Sequence, residues 1–376
     1  MSWYGNRANE RYTYRRVKWS PSETGHFGEL ESYGNITSGS VELGAFTDTK
    51  ATCSFSFEGG TPPDTTDLVR IYYSFDDDDA NRYETPIGTF FVTYGDVNYT
   101  RDGETLKASG SADGSSVLSM LIDRRLGAPY TIDAGTDCVN AAVTLVEGFG
   151  LPTNRPASPG TVTTSAHTFE PDDSWLTVVN WLLTSANYQA AYPDPYGNVM
   201  MVPYVPPESR AVTQTFRDDA HSIMRPEVTM ANDWRETPNV ARLYYSTDDE
   251  CIAASASMVR GARASLAGRG GREVTLVESV DELEGATQAD RLANLKAMAQ
   301  QRLIDQSAEI EKVTLTHAYV VIQPNDAIAI EYSDMTWKGN VTNMQVTLSP
   351  STQCKTQLRR FVSNSLEITT DGGVLW

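Results

Sequence analysis

The stretch from Thr287 to Val362 constrains this chain most, because two different periodicities stand back to back in it. In TQADRLANLKAMAQQRLIDQSAE, Leu292, Leu295, Ala299 and Leu303 recur at helical spacing and form one apolar stripe. Thr287 is placed to cap that helix, with Asp290 three residues on, where a capping box puts an acid. Then follow VTLTHAYVVI, AIAIEY and VTNMQVTLSP, β-branched and alternating, parted by turn chemistry at Gln323-Pro324-Asn325-Asp326 and Lys338-Gly339-Asn340. The pattern predicts a helix delivering the chain into an antiparallel meander. It reads as structure, not as a reaction site.

A chain of 376 residues exceeds one typical core, so two to four domains are expected. Gly, Pro, Tyr and Thr usage leans towards β structure. No run approaches the roughly 18 to 20 apolar residues of a membrane span, and the N-terminus lacks the apolar core of a signal peptide. Neither a membrane anchor nor export by the general pathway is expected. Cys53, Cys138, Cys251 and Cys354 form no CxxC pair, which predicts scattered buried thiols and folding in a reducing cytoplasm.

The formal charge of -19 excludes a protein that grips a duplex, which needs a basic footprint. Plain solubility accounts for it. So does an acidic surface or channel past which DNA moves without sticking. The one basic-aromatic segment interleaves Arg7, Arg11, Arg15, Arg16 and Lys18 with Trp3, Tyr4, Tyr12, Tyr14 and Trp19. A nucleic-acid arm has this composition, and so does a first strand docking on an acidic neighbour, which is the reading preferred.

From Leu30 to Gly110, VELGAF, ATCSFSF, VRIYYSF, IGTFFVTYG and ETLKASGS predict strands of a small barrel or sandwich. A calcium loop starting at Asp76 needs Gly at its sixth position and Glu at its twelfth, where Asn81 and Ile87 stand, so Asp76 to Asp79 reads as a hairpin tip. Between Asp113 and Gly127, Val117, Leu118, Leu121 and Ile122 predict a short amphipathic helix. A second helix is predicted from Asp137 to Gly148. A third carries Trp175, Val178, Val179, Leu182, Leu183 and Ala186, capped by Asp172 or Asp173. Thr247 to Gly285, including the GRGG at 268–271, has weak periodicity and no phosphate-loop context, and reads as an insertion or a flexible excursion.

Catalytic constellations are thin. His26, His167, His221 and His317 show no metal-ligand spacing, and His317 inside VTLTHAYVV reads as a structural histidine. No GxSxG elbow is present, and the chain's 49 carboxylates let no acid–nucleophile pair be picked by spacing. No catalytic, cofactor-binding or metal residue is assigned, no cofactor is expected, and the chain reads as a non-enzyme.

The order of elements then carries a resemblance. IGTFFVT, YTIDAGTDCVNAAVTLVEGFGL, SWLTVVNWLLTSANYQAAYPDPYGNVMMVPYVPP, RPEVTMANDWRETPNV and QPNDAIAIEY follow one another over residues 25–362. In pattern and order the chain resembles the central hub proteins of bacteriophage tail tips and baseplates, including the N-terminal hub region of siphophage tail-associated proteins. The resemblance implies a mainly β multidomain fold with two tail-tube-like barrels and a helical α+β domain. It assigns 1–112 to the first barrel, 113–205 to the α+β domain, and 206–245 with 310–362 to the second barrel. Residues 246–309 become an inserted segment ending in the long helix, and 363–376 a C-terminal tail.

It further implies a homotrimer at the distal end of the virion tail, assembled in the host cytoplasm, which adapts a six-fold tube to a three-fold tip and lets DNA pass. The implied partners are the distal tail protein, the tube ring, the tape measure protein and tip or fibre proteins. Unlike larger family members, the sequence stops at SLEITTDGGVLW with no lytic or fibre domain. Hydrolysis and receptor binding are therefore expected of other proteins, and the tail is expected to reach a neighbouring subunit or plug the tube. Two alternatives stay open. One is a carbohydrate- or receptor-binding tip protein using aromatics such as Trp234, Trp337 and Tyr196; the other is a peptidoglycan hydrolase.

Overall fold

The computed structural model describes the chain except residues 1–6, 19–28, 60–67, 78, 104, 207–208, 220–221, 233–235, 248–249, 262, 281–286, 308–309, 350–352, 362–366 and 375–376. Trp3, Tyr4, Trp19, His26, His221 and Trp234 lie outside the described residues. The chain is mainly β, with 52% strand and 15% helix. It divides into two compact units. The first comprises Met1–Glu227, Leu315–Thr336 and Asn340–Gln357; the second comprises Val228–Thr314, Trp337–Gly339 and Leu358–Trp376.

In the first unit, β1 (Ala8–Val17), β2 (Glu29–Gly44), β3 (Ala51–Glu58), β4 (Leu68–Asp76), β5 (Arg82–Asp102) and β6 (Thr105–Ser116) pair in the order β1-β4-β5-β6-β3-β2. A β1–β2 ladder closes them into a barrel. Alternation does the work here: β3 reads buried at Ala51, Cys53, Phe55 and Phe57 and outward at the residues between. Tyr14 lies inside against Phe55 and Phe57, ring centroids 5.9 and 5.8 Å away. A Cβ at Gly34 would meet the Tyr14 ring at 2.5 Å, so only glycine lets that ring lie on β2. Asp77 accepts hydrogen bonds from the backbone N–H of Asp79 and Asn81, closing the β4–β5 hairpin as the acidic run predicts.

β4 is buried on both faces through Phe75, unlike its neighbours. Buried Arg70 explains one side of it. Its guanidinium donates to the Thr89 hydroxyl at 3.0 Å and to the carbonyl of Tyr196 at 2.9 Å, while Thr89 donates to Pro195. A turn from the helical region thereby covers the strand.

That region holds α1 (Ser119–Asp123), β7 (Tyr130–Ile132), α2 (Cys138–Gly148), β8 (His167–Phe169), α3 (Trp175–Ser185), β9 (Tyr192–Pro193) and β10 (Val199–Met200). The first helix is shorter than the spacing predicts, because Asp113 to Ser116 are taken into ladders with β3 and β5. Nor is α3 capped by Asp172 or Asp173. Ser174 accepts from Thr177 N–H, while Asp173 accepts from Glu170 N–H and shapes the turn before it.

Strand, cap and helix occur twice here. β7 and β8 pair antiparallel about Thr131 and Thr168, whose hydroxyls meet at 2.8 Å. Asp137 and Ser174 each cap an 11-residue helix through the N–H three residues on. Both helices then leave through a left-handed residue, Gly150 at φ 73 and Asn187 at φ 59. Each position of the second copy lies 37 residues after its counterpart (130 to 167, 137 to 174, 150 to 187). The two helices share one core, with Val139, Ala142 and Val146 packed among Val179, Leu182 and Leu183.

β11 (Val212–Arg217), β12 (Met224–Asn232), β16 (Ile310–His317), β17 (Ala327–Tyr332), β18 (Met335–Thr347) and β19 (Cys354–Phe361) extend the barrel sheet, in the order β2-β18-β19-β16-β12 with β17 between β18 and β11. The intervening elements, numbered in chain order, are β13 (Val240–Ser246), β14 (Cys251–Arg260), β15 (Thr275–Ser279) and α4 (Gln288–Ser307). The expected meander forms only in part: β17 pairs with β18, but β16 lies beside β19 and β12 and not beside β17. β16 stops at His317, and Ala318 to Asp326 run irregularly to let the Tyr319 carbonyl accept from Arg7 at 2.6 Å. The hairpin turn falls at Ser333 (φ 52) and Asp334, and Lys338-Gly339-Asn340 lies inside β18.

In the second unit β15-β13-β14-β20 form a four-stranded sheet, where β20 is Glu367–Val374. α4 packs Leu295, Ala299 and Leu303 on Ala241, Leu243, Ile252, Ala254, Ala256 and Met258. The capping box is present: Asp290 N–H donates to the Thr287 hydroxyl, and Thr287 N–H to the Asp290 carboxylate. The flexible excursion expected from Thr247 to Gly285 is corrected by β14 and β15. Its polar look comes from Ala and Ser alternating along β14, with GRGG in the turn after it. Fully buried Asn239 holds that turn, donating to Ala264 and Arg272 carbonyls and accepting from Val274 N–H. The tail expected to leave for a neighbour or plug a tube instead pairs as β20 with β14.

Candidate functional site

The barrel's outward face has a uniform chemistry where β18, β2, β3, β6 and β5 run side by side. One row crosses all five strands at Thr347, Ser40, Ser54, Asp113 and Thr93, each directly opposite the next. Beside it run Gln345, Glu42, Thr52 and Ser115, and then Ser38, Ser56 and Ser111. Glu58 and Ser109 continue the face on β3 and β6. None of these side chains is basic. The hydroxyls are short; Thr93 bonds back to the Asp113 carbonyl at 3.4 Å, and Gln345 donates to Glu42 at 3.1 Å. Underneath, the alternate residues Val41, Cys53, Phe55, Ala112 and Val92 fill the barrel. Strand periodicity thus places a carbon core on one side and a hydroxyl–carboxylate sheet on the other. The row from Thr347 to Thr93 offers no long cation to neutralise phosphate. The second row ends on the half-buried ring of Phe91, opposite Ser115, and an exposed cation, Lys107, stands two residues before Ser109 on β6.

A second feature is a cavity of about 410 Å³ lined by Tyr192, Asp194, Arg210, Gln323 and Asp326 among others. Arg210 donates to the carbonyls of Val205 and Asn325, and Asp326 accepts from Gln323 N–H. Burial pushes the Asp326 carboxyl and the Tyr192 phenol up. These groups tie the Gln323-Pro324-Asn325-Asp326 turn to β11 and its approach.

The residues singled out for chemistry are spread through the fold. His317 is a buried structural group, its ring against Phe216 at 4.5 Å. His167 stacks on Trp181. All four cysteines are buried free thiols. Trp337 is buried and presents no ring to a sugar, while Tyr196 is exposed and lies over Arg70. Among the described residues no cluster of His, Cys, Asp or Glu stands ready for a metal ion, and no helix is long and apolar enough to cross a membrane. Sequence reasoning found the strands that make the hydroxyl face but named none of its residues. The available signal was the alternation Thr52, Ser54, Ser56 in ATCSFSF and Ser109, Ser111 with Asp113 at the end of ETLKASGS and just after it, with Glu42 in VELGAF.

The mainly β fold of this chain is similar to solved structures of phage tail proteins. The tail protein of Neisseria meningitidis MC58 superposes with a TM-score of 0.57 at 13% identity, covering 93% of this chain and 96% of that one. The 43 kDa tail protein of prophage MuSo2 from Shewanella oneidensis gives 0.58 at 10% identity over 93% and 98%. A chain of the Francisella PdpA–VgrG complex gives 0.58 at 6% identity, with 96% of this chain spanning 60% of that one. Comparison by sequence with protein families and with curated proteins yields no match.

Proposed function

We propose that this chain is a structural hub subunit of a phage tail tip or a related injection machine. Three copies form a ring at the distal end of the tube. Each contributes a first barrel, within residues 1–112, and a second β element from β11, β12 and β16–β19, within 206–245 and 310–362. Six β elements then meet a six-fold tube while the subunits obey three-fold symmetry.

The observation that carries this reading is the row Thr347, Ser40, Ser54, Asp113 and Thr93 with its neighbours Glu42 and Glu58. Turned inward, the row gives the ring a lumen wall whose carboxylates repel phosphate. The similarity in fold to tail proteins of Neisseria and Shewanella supports the same role. Its neighbours in the particle are the tube ring, the distal tail protein, the tape measure protein and tip proteins. No reaction is assigned to it.

The test is a reconstruction of the particle that contains this chain. Three copies around a pore, with Glu42, Glu58 and Asp113 facing the channel, is the expected result. One copy per peripheral fibre, or this face packed against protein, overturns the proposal.

A further inference from the structure

The two strand–helix copies, 130–151 and 167–188, differ at one place with a binding consequence. In the second copy the groove between strand and helix is filled from within. The Trp181 indole stacks on His167, centroids 4.6 Å apart and rings 13° from parallel, and meets Phe169 edge-on at 5.6 Å. In the first copy the counterparts of His167 and Phe169 are Tyr130 and Ile132, and the counterpart of Trp181 is Thr144. Thr144 is exposed and too short to reach across. A cavity of about 450 Å³ stands there, lined by Tyr130, Ile132, Asp133, Asp137, Asn140 and Thr144 among others.

The lining also has a sign. It includes two carboxylates and no Lys, Arg or His. Asp137 is held below the usual carboxylate range by the Asn140 N–H and the Ser158 hydroxyl, so it stays charged. A groove of this size with an aromatic floor and an acidic rim fits one kind of occupant.

We propose that the groove of the first copy is a docking site for a partner-protein segment that inserts an aromatic side chain beside a lysine or arginine. The inserted ring takes the place that Trp181 takes in the second copy, and the neighbouring cation meets Asp133 and Asp137. This inference stands on the repeat and does not depend on the hub reading.

The test uses the full chain and a fluorescein-labelled Lys-Trp-Lys peptide, followed by anisotropy. Saturable binding is expected, at least tenfold weaker for Lys-Ala-Lys and for Glu-Trp-Glu. Thr144→Trp, which supplies the missing indole from within, should keep or raise the melting temperature and abolish peptide binding. Asp133→Lys, at the exposed rim, keeps the test decisive should the larger residue impair folding, and should weaken binding at least fivefold. Absence of saturable binding, equal binding of Lys-Ala-Lys, or binding unchanged in Asp133→Lys overturns the proposal.

Discussion

The imidazole Nε2 of His317 stands 2.7 Å from the hydroxyl of Thr356, and its Nδ1 stands 2.7 Å from the carbonyl oxygen of Ala318. A carbonyl only accepts, so Nδ1 carries a proton; the Thr356 hydroxyl can then donate to Nε2 of the neutral ring. Burial, not these contacts, makes the ring neutral at pH 7. Burial pushes its pKa from the ordinary 6.5 down to about 4. The unfolded chain binds a proton between those values and the folded one does not, so stability is full above pH 6.5 and falls as pH drops towards 4. The loss from this group is on the order of 3 kcal/mol. Urea midpoints measured from pH 7.5 to 4 should fall across that window, and more shallowly in a variant with His317→Phe. Thr356→Val leaves Nε2 unpaired and should cost about 1–3 kcal/mol at pH 7.5.

Arg70 predicts a different loss. It is buried, and its guanidinium ties the Thr89 hydroxyl to the Tyr196 carbonyl. Arg70→Met keeps the apolar stem but takes the donor from the Tyr196 carbonyl and leaves the Thr89 hydroxyl bonded to Pro195, at about 1–3 kcal/mol. Proteolysis should then begin in the Asp194–Asn198 turn. A variant that melts like the parent and resists cleavage there would contradict the account.

Gly39 has φ 150, and a Cβ on it would lie 2.3 Å from the Ser54 carbonyl and 2.6 Å from the Phe55 Cα. Both obstacles are backbone. Gly39→Ala should cost about 3 kcal/mol or prevent folding, whereas Gly95→Ala, with nothing within 4 Å of a new Cβ, should stay within about 0.5 kcal/mol.

In the second unit Leu295 is fully buried on the inner face of α4. Leu295→Ala should cost about 3 kcal/mol and lower hydrogen-exchange protection in β13 and β14, where its neighbours sit. Lys296→Ala, one residue on, should leave that protection unchanged.

Much of this fold was legible because period and burial agree. The β3 alternation, the α3 stripe and the Thr287–Asp290 box each read correctly from local spacing. What failed were features whose cause is remote in sequence. Asp113 to Ser116 look like the start of a helix until β3 and β5 pair with them. The β14 run of Ala and Ser has no contrast between faces, so its strand shows only when α4 covers it. The hydroxyl face escaped because no single serine is unusual; its character lies in the register of five strands. The repeat escaped because its copies share little beyond Thr131 and Thr168, and caps and left-handed exits carry the likeness.

That face yields a prediction about transport. Ser54 and Ser111 are exposed, so lysine at both should leave the unfolding free energy within about 0.5 kcal/mol of the parent. If the face lines the channel, particles carrying Ser54→Lys and Ser111→Lys should eject DNA more slowly, with added salt restoring the rate. Unchanged ejection at low salt would remove the face from the DNA path.

One edge of β2 pairs with β1 up to Asn35 and, beyond Gly39, with β18 from Ser40 to Gly44. Mechanically, this makes β2 a common rail. A pull along β18 loads the five pairs from Asn343–Gly44 to Thr347–Ser40 together, in shear, whereas a pull across the ladder peels them one at a time. A subunit built this way yields to sideways prising far sooner than to axial tension, and the direction of load decides when it gives.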